Sequence, residues 1–320
     1  MAEISHILPI DRPDCHNQKE QTEVTDEEYF KLFKTPELTT SEKIKKFVCF
    51  IVFLGPIKIV GIGLSLLAYS LMAFVLNLFE RFFRHQRAYK EFAFKVLWPI
   101  VRVAFFFSGF VKVNIHGQID PNTRVIVCNH TSLFDIIAML MSFPVAFTAK
   151  KSLKNWSIIQ QAAAIYDIIF IDRTKNQRVS DQIVDYINDP SYLPLCIFPE
   201  GKITNGTALL GFRTGAFLTE HQVQPITMRY THWFNDMRTS NVTWLESVPK
   251  YVYKFCSCPF VTLDIVVHPP FDFKGQNLTP AEKAKIAQLY MANYLGVPAY
   301  DKTNKLFFEK QEQFLKYKIE

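Results

Sequence analysis

The sequence predicts an α/β protein, a mostly parallel central sheet flanked by helices, with an N-terminal apolar, membrane-embedded helical segment. Three observations predict it. From Val111 onward short β runs alternate with helical stretches, the pattern of strand–helix–strand units. Phe47–Phe79 is a 33-residue apolar run in which Lys58 is the only charge. The chain has 320 residues, 49% hydrophobic and 21% charged, enough for a large core and too apolar overall for a disordered protein. Its 30 Phe and 11 Gly suit a protein that touches lipid and exclude collagen-like or Gly-rich designs.

Taken in order, residues 1–42 form a polar, acidic segment with no early apolar core, so it does not read as a signal peptide. Residues 43–92 hold the apolar run between basic flanks, Lys43, Lys45 and Lys46 before it and Arg81, Arg84, Arg87 and Lys90 after it. One spanning helix needs about 20 apolar residues and two need about 40 and a turn, so this run fits neither cleanly. Positive flanks on both sides favour two ends in the cytosol, which a re-entrant hairpin or two helices partly in one leaflet satisfy. Gly55-Pro56 is the expected break, with Lys58 then at an awkward depth. A single tilted span is the alternative. Val96–Val111, interrupted by Pro99 and Arg102, is expected to pack on the following domain or lie in the interface.

The domain spans residues 93–300, followed by a tail over residues 301–320. Within it Val111–Ile115 and Arg124–Cys128 read as strands and Leu133–Met141 as a helix. Trp156–Ala164 is helical, Ile168–Ile171 a buried strand, Val179–Ile187 helical and Leu195–Phe198 a strand. Val223–Arg229 and Val261–Val267 complete the strands, and Pro280–Leu295 is the closing helix. Ligands of such sheets sit beyond the C-terminal ends of the strands.

Net charge is +6, yet residues 1–28 carry eight acids against two bases, leaving +12 on the remainder. A basic body beside an apolar segment points to anionic lipid or a phosphate-bearing ligand, with a plainly solvated basic surface as the alternative. No helix-turn-helix, RNP-like or zinc-finger signature supports nucleic acid. The six Cys are scattered, and Cys256-x-Cys258 has no neighbouring pair to complete a zinc site, so all six read as ordinary thiols.

The chemistry-bearing motifs fall at strand ends. Asn129-His130-Thr131-Ser132-Leu133-Phe134-Asp135 follows a β run directly. Histidine suits general-base work near neutrality, and a carboxylate on its far nitrogen would fix the tautomer and stabilise the imidazolium. Five residues apart, the two would lie about 140° apart on one helix, so His130 must sit on the turn before it and Asp135 in its first turn. Ser132-x-x-Asp135 also reads as a capping box, which explains Asp135 without chemistry. Phe198-Pro199-Glu200-Gly201 ends another strand, where Gly lets backbone approach a ligand and Glu offers an acceptor; alone it is also just a turn. Arg173, in Phe170-Ile171-Asp172-Arg173, can grip a phosphate bidentately or pair with Asp172. Val223-Gln224-Pro225-Ile226 is a strand interrupted by proline.

In this order the motifs resemble the four blocks of the glycerolipid acyltransferase superfamily over residues 90–300. His130 and Asp135 match its His-x4-Asp motif, and Ala149–Leu153 looks like the segment that follows the first block. Phosphatidate-forming members usually show Thr-Arg-Ser after Glu-Gly, whereas here stands Lys202-Ile203-Thr204-Asn205-Gly206. That stretch, with Gly215-Ala216-Phe217, is similar to the lysophosphatidylcholine and lysophosphatidylethanolamine acyltransferase branch. A Gly common early in the second block is replaced around Tyr166-Asp167, and no EF-hand loop follows.

The resemblance implies a membrane-bound acyltransferase acting on a lysophospholipid, with acyl-CoA as co-substrate and no cofactor. His130 would be the base and Asp135 its orienting partner. Arg173 and Lys202 would bind acceptor phosphate, and Glu200 and Gly201 would shape the glycerol floor. On charge alone, Lys150, Lys151 and Lys154 are assigned to CoA phosphates. The expected partner is a phospholipid membrane, at the endoplasmic reticulum with the domain in the cytosol, or on lipid droplets; Lys316 and Lys318 fit a dilysine retrieval pattern. The rivals are a glycerol-3-phosphate or lysophosphatidate acyltransferase, and a catalytically inactive membrane scaffold that kept the fold.

Overall fold

The computed structural model describes residues 20–34, 39–53, 55–83, 86–171, 176–232, 253, 256–258 and 260–310. Arg173, Asp172 and the tail lysines Lys316 and Lys318 lie outside the described residues.

The N-terminal part is helical. Helix α1 is Asp26–Lys31 and α2 is Thr40–Val52, each opened by a reciprocal capping box, Thr25 with Glu28 and Thr39 with Glu42. Helix α3, Gly55–Phe83, follows, so the apolar run is divided between two helices and the second begins at Gly55-Pro56. Proline is tolerated in a first helical turn, where its missing N–H has no partner to lose. Among the described residues one helical stretch, Gly55–Glu80, is long and apolar enough to cross a membrane, with mean hydropathy 2.3. Lys58 does not face the apolar side. Its ammonium donates to the carbonyl of Cys258 at 3.2 Å, just ahead of the strand that begins at Val261.

Helix α4, Arg87–Phe107, absorbs most of the third apolar stretch. It buries Lys90, Ala93, Leu97, Val101 and Phe105, one face at three- and four-residue spacing, and leaves Phe92, Trp98, Val103 and Phe106 exposed. The buried face meets Ala73 and Leu76 of α3 and Ala162, Ile165 and Tyr166 of α6 (Ser157–Tyr166) in a satellite core. Lys90 ion-pairs with Asp167, which caps α6 at φ +51°. This left-handed position is one that glycine adopts most readily. Asp tolerates it better than most residues, and here the carboxylate is also held by the buried ammonium.

The sheet strands are β1 (Phe110–His116), β2 (Val125–Cys128), β3 (Ala146–Lys150), β4 (Ile169–Ile171), β5 (Leu195–Ile197), β7 (Val223–His232) and β8 (Val261–Val267). A separate parallel pair consists of β6 (Leu209–Gly211) and β9 (Ala299–Thr303). The order is β1-β8-β7-β2-β5-β3-β4, parallel at every neighbour except β7–β8. The mostly parallel sheet therefore forms as expected, with β1 and β8 reversed. β2 and β5 are buried at every residue, as central strands covered on both faces must be. Helices α5 (Phe134–Ser142), α7 (Asn176–Asn188) and α8 (Pro280–Leu295) connect or cover them. α8 has the Thr279/Glu282 capping box, Pro280 in its first turn and Gly296 in the left-handed cap. The chain's last described helix is α9, Lys305–Glu309.

Strand β3 is absent from the sequence reading because Ala-Phe-Thr-Ala-Lys has little β character; pairing with β5 and β4 on either side imposes it. Residues 20–34 also do more than their polarity suggests. Tyr29, Phe30, Leu32 and Phe33 form a separate core with Ala208, Leu210 and Phe307, so α1 closes over the β6–β9 pair.

Candidate active site

Because β2 and β5 are sheet neighbours and parallel, the turns after Cys128 and after Ile197 lie side by side. The first turn is anchored by Asn129. Its amide donates to the carbonyl of Met228 at 3.0 Å and accepts from the Met228 N–H at 2.8 Å, tying β2 to β7. His130 follows on the turn, and α5 begins four residues later, which places Asp135 in its first turn.

There His130 Nδ1 lies 2.9 Å from Asp135 Oδ2. The same oxygen accepts the N–H groups of Thr131 at 2.7 Å and Ser132 at 2.8 Å. One oxygen thus serves the histidine together with half of the expected capping box, taking the Ser132 N–H, while the Ser132 hydroxyl accepts from the Phe134 N–H and not from that of Asp135. An acceptor-only carboxylate assigns the proton to Nδ1 and leaves the Nε2 lone pair available. Asp135 is wholly buried, and the His130 side chain is 13% exposed. The imidazole stacks on Phe198 with centroids 4.3 Å apart, and Phe198 stacks in turn on Phe147.

The second oxygen of Asp135 accepts from the hydroxyl of Tyr230, which the motif reading missed. The available signal is the alternation of β7. Ile226, Met228 and Tyr230 share its core face, and a buried phenol asks for a polar partner. Tyr230→Phe should cost about 1–3 kcal/mol of stability, through the loss of a donor to a buried charge. It should also lower kcat/KM by about tenfold, as the carboxylate loses one fixed support. Unchanged melting and turnover would show that the hydroxyl is idle.

Glu200 belongs to the same construction from the other side. It is fully buried, and its oxygens accept the N–H of His130 at 2.8 Å and of Leu210 at 3.2 Å. Burial pushes its carboxyl up to about 8 against the pull of those two donors. The N–H of Thr204 returns to the His130 carbonyl at 3.0 Å, so both backbone polar groups of the histidine are held by the loop after β5. Gly201 has φ +64°, and a Cβ there would meet the Asn304 amide nitrogen at 2.3 Å. Glycine is required on both counts.

The basic residues are more dispersed. The Lys202 ammonium lies over the rings of Phe307 at 4.0 Å, Phe308 at 5.5 Å and Phe33 at 5.8 Å. Lys150 ends β3, and Lys151 and Lys154 are exposed on the short 3-10 turn that follows, at the same sheet edge as His130. Arg213 is exposed, and its Cδ lies 3.4 Å from where a Cβ on Gly201 would stand. Ile171 ends β4, two residues before Arg173.

Residues 112–229, from β1 into β7, match the family model described as acyltransferase. That stretch, which holds the His–Asp pair at the end of a central parallel strand, is similar to the acyltransferase family. The chain is 28% identical over 218 residues to human lysophosphatidylcholine acyltransferase 1, covering 65% of this chain and 40% of that one. It is 27% identical over 211 residues to human lysophospholipid acyltransferase LPCAT4, covering 62% and 39%. With a lyso-ornithine lipid O-acyltransferase of Rhodobacter capsulatus the identity is 27%, over 51% of this chain and 62% of that protein. The matches thus span about 40% of the length of the two human relatives. The crystal structure of the 1-acyl-sn-glycerophosphate acyltransferase PlsC from Thermotoga maritima superposes at TM-score 0.47 and 16% identity, covering 71% of this chain and 94% of that one, too distant to bear on function.

Proposed function

We propose that the protein is a membrane-bound acyltransferase that moves a fatty acyl group from acyl-CoA to the free hydroxyl of a lysophospholipid. The observation that carries this reading is the buried Asp135 carboxylate on His130 Nδ1, which leaves Nε2 as the base. Nε2 takes the proton of the acceptor hydroxyl as its oxygen attacks the thioester carbonyl. When the tetrahedral intermediate collapses, the C–S bond breaks and the imidazolium returns the proton to the CoA thiolate. Asp135 stays ionised and stabilises the imidazolium between those steps. No cofactor takes part. Lys150, Lys151 and Lys154 are assigned to the CoA phosphates, and Arg173 with Lys202 to the acceptor phosphate. Glu200 and Gly201 shape the floor beneath the acceptor's glycerol, with Arg213 beside Gly201.

The apolar helices α2 and α3 and the basic residues beside them support a membrane location, for a substrate that never leaves the bilayer. The same basic flanks support a domain on the cytosolic side, and the reading places the protein at the endoplasmic reticulum. The sequon at Asn129 is compatible with that side, because its amide is committed to Met228 and has no room for a glycan.

The acceptor is read as a phosphodiester lysophospholipid. Ile203 stands where phosphatidate-forming members place an arginine, so a guanidinium suited to a phosphate monoester dianion is missing. With lysophosphatidylcholine, lysophosphatidylethanolamine, lysophosphatidate and glycerol-3-phosphate at equal concentration, the first two should be acylated fastest. Fastest acylation of glycerol-3-phosphate would overturn the acceptor assignment, and no transfer to any of the four would leave the scaffold reading.

A further inference from the structure

We propose that residues 20–34 are a built part of the acceptor site: this N-terminal strap holds the Gly201–Gly206 loop in its binding shape and so sets affinity for the lysophospholipid. The proposal rests on the acyltransferase reading above and concerns residues that reading does not use.

The loop is gripped from two sides. Toward the catalytic pair, Glu200 and Thr204 bond to the backbone of His130. Toward the N-terminus, the Asn205 N–H donates to the Leu32 carbonyl at 2.8 Å, and the Asn205 side-chain amide donates to the Lys31 carbonyl at 2.9 Å. The remaining amide oxygen of Asn205 accepts from the N–H and hydroxyl of Thr207 at 3.1 and 2.7 Å. Every polar atom on the Asn205 amide is thus committed, one end to the strap and the other to the loop's own turn. One ring of the strap, Phe33, also lies beneath the Lys202 ammonium beside Phe307. A cation held over aromatic faces keeps its charge at a fixed place.

The strap is itself firmly seated. Tyr29 and Phe33 are fully buried, and the Tyr29 hydroxyl donates to the Thr303 carbonyl at 2.9 Å while accepting the Phe307 N–H at 3.2 Å. Thr22 exchanges backbone bonds with Ala299 and Asp301, and Asp26 pairs with Lys302 and Lys310. The acidity of this segment is used against a basic C-terminal edge. A loop of six residues flanked by glycines at φ +64° and +74° has little rigidity of its own, so its shape comes from what it is tied to.

Asn205→Asp tests this with little change of volume. It keeps the oxygen that serves Thr207 but turns a second oxygen onto the Lys31 carbonyl, exchanging a donation for a repulsion. With a long-chain acyl-CoA and lysophosphatidylcholine, KM for lysophosphatidylcholine is expected to rise about tenfold. KM for acyl-CoA, kcat and the melting temperature should stay close to those of the unaltered chain. Phe33→Leu, altering the strap side alone, should shift the same parameter. If Phe33→Leu does not fold, Asn205→Asp still decides. An unchanged acceptor KM in Asn205→Asp, or an equal change in both KM values, would overturn the strap's role. Should the unaltered chain transfer no acyl group, the functional reading fails by itself. The strap is then judged by whether lysophosphatidylcholine protects the 201–206 amides from hydrogen exchange in the unaltered chain but not in Asn205→Asp; equal protection, or none, in the two would overturn it.

Discussion

His130→Ala is expected to lower acyl transfer by about 10²–10⁴-fold while leaving the fold and membrane association in place. In the proposed mechanism the imidazole is both the base for the acceptor hydroxyl and the proton source for the thiolate, so one substitution would remove both. Structurally the loss is modest: the backbone of His130 keeps its bonds to Glu200 and Thr204, and the side chain contributes mainly the Phe198 stack and the Asp135 bond. Asp135→Asn separates charge from shape. Its oxygen can take over the His130, Thr131 and Ser132 donors while its amide faces Tyr230, whose hydroxyl can turn to accept. That variant should fold and turn over slowly, because no negative charge remains to stabilise the imidazolium. Steady-state kinetics beside thermal melts check both variants. Activity of His130→Ala within threefold of the unaltered chain would remove it from the mechanism.

Glu200→Ala is expected to cost about 2–5 kcal/mol of stability and most of the activity. The carboxylate is the partner of two buried N–H groups, on His130 and Leu210, and each orphaned donor costs about 1–3 kcal/mol. Relief from burying the carboxyl itself offsets part of this. The pH dependence has a definite sign. The folded-state pKa of Glu200 is about 8, above the ordinary 4.5, so the folded chain binds this proton more tightly than the unfolded one. Its contribution is fully present below about 4.5 and is lost as pH rises through about 8. Denaturant unfolding at pH 5, 7 and 9 should show the unaltered chain weakening by up to a few kcal/mol across that range, and Glu200→Ala weakening less. Parallel pH profiles for the two would show that the proton on Glu200 is not what changes.

The sequence by itself determined the elements whose cause is local. Alternating β runs and helical periods placed β1, β2, β5, β7 and β8 to within a few residues, since period and strand-ending turn residues act over short range. The helical reading of Pro280–Leu295 matched α8 end to end, and Gly55-Pro56 marked the start of α3. It also determined that His130 and Asp135 could meet only across a turn, a matter of helix geometry. Tertiary structure decided everything that depends on which strands become neighbours. β2 lies beside β5, which brings the buried Glu200 to the backbone of a histidine 70 residues away. β7 lies beside β2, which aims Tyr230 at Asp135. β3, with two alanines and a lysine in five residues, is a strand only because β5 and β4 offer it open hydrogen-bonding edges. The strap packs Phe33 next to Phe307, near the opposite end of the chain, and draws Lys202 over their rings. Local propensity carries no record of such pairings, because their free energy comes from apolar area and polar partners supplied by distant segments when the chain closes.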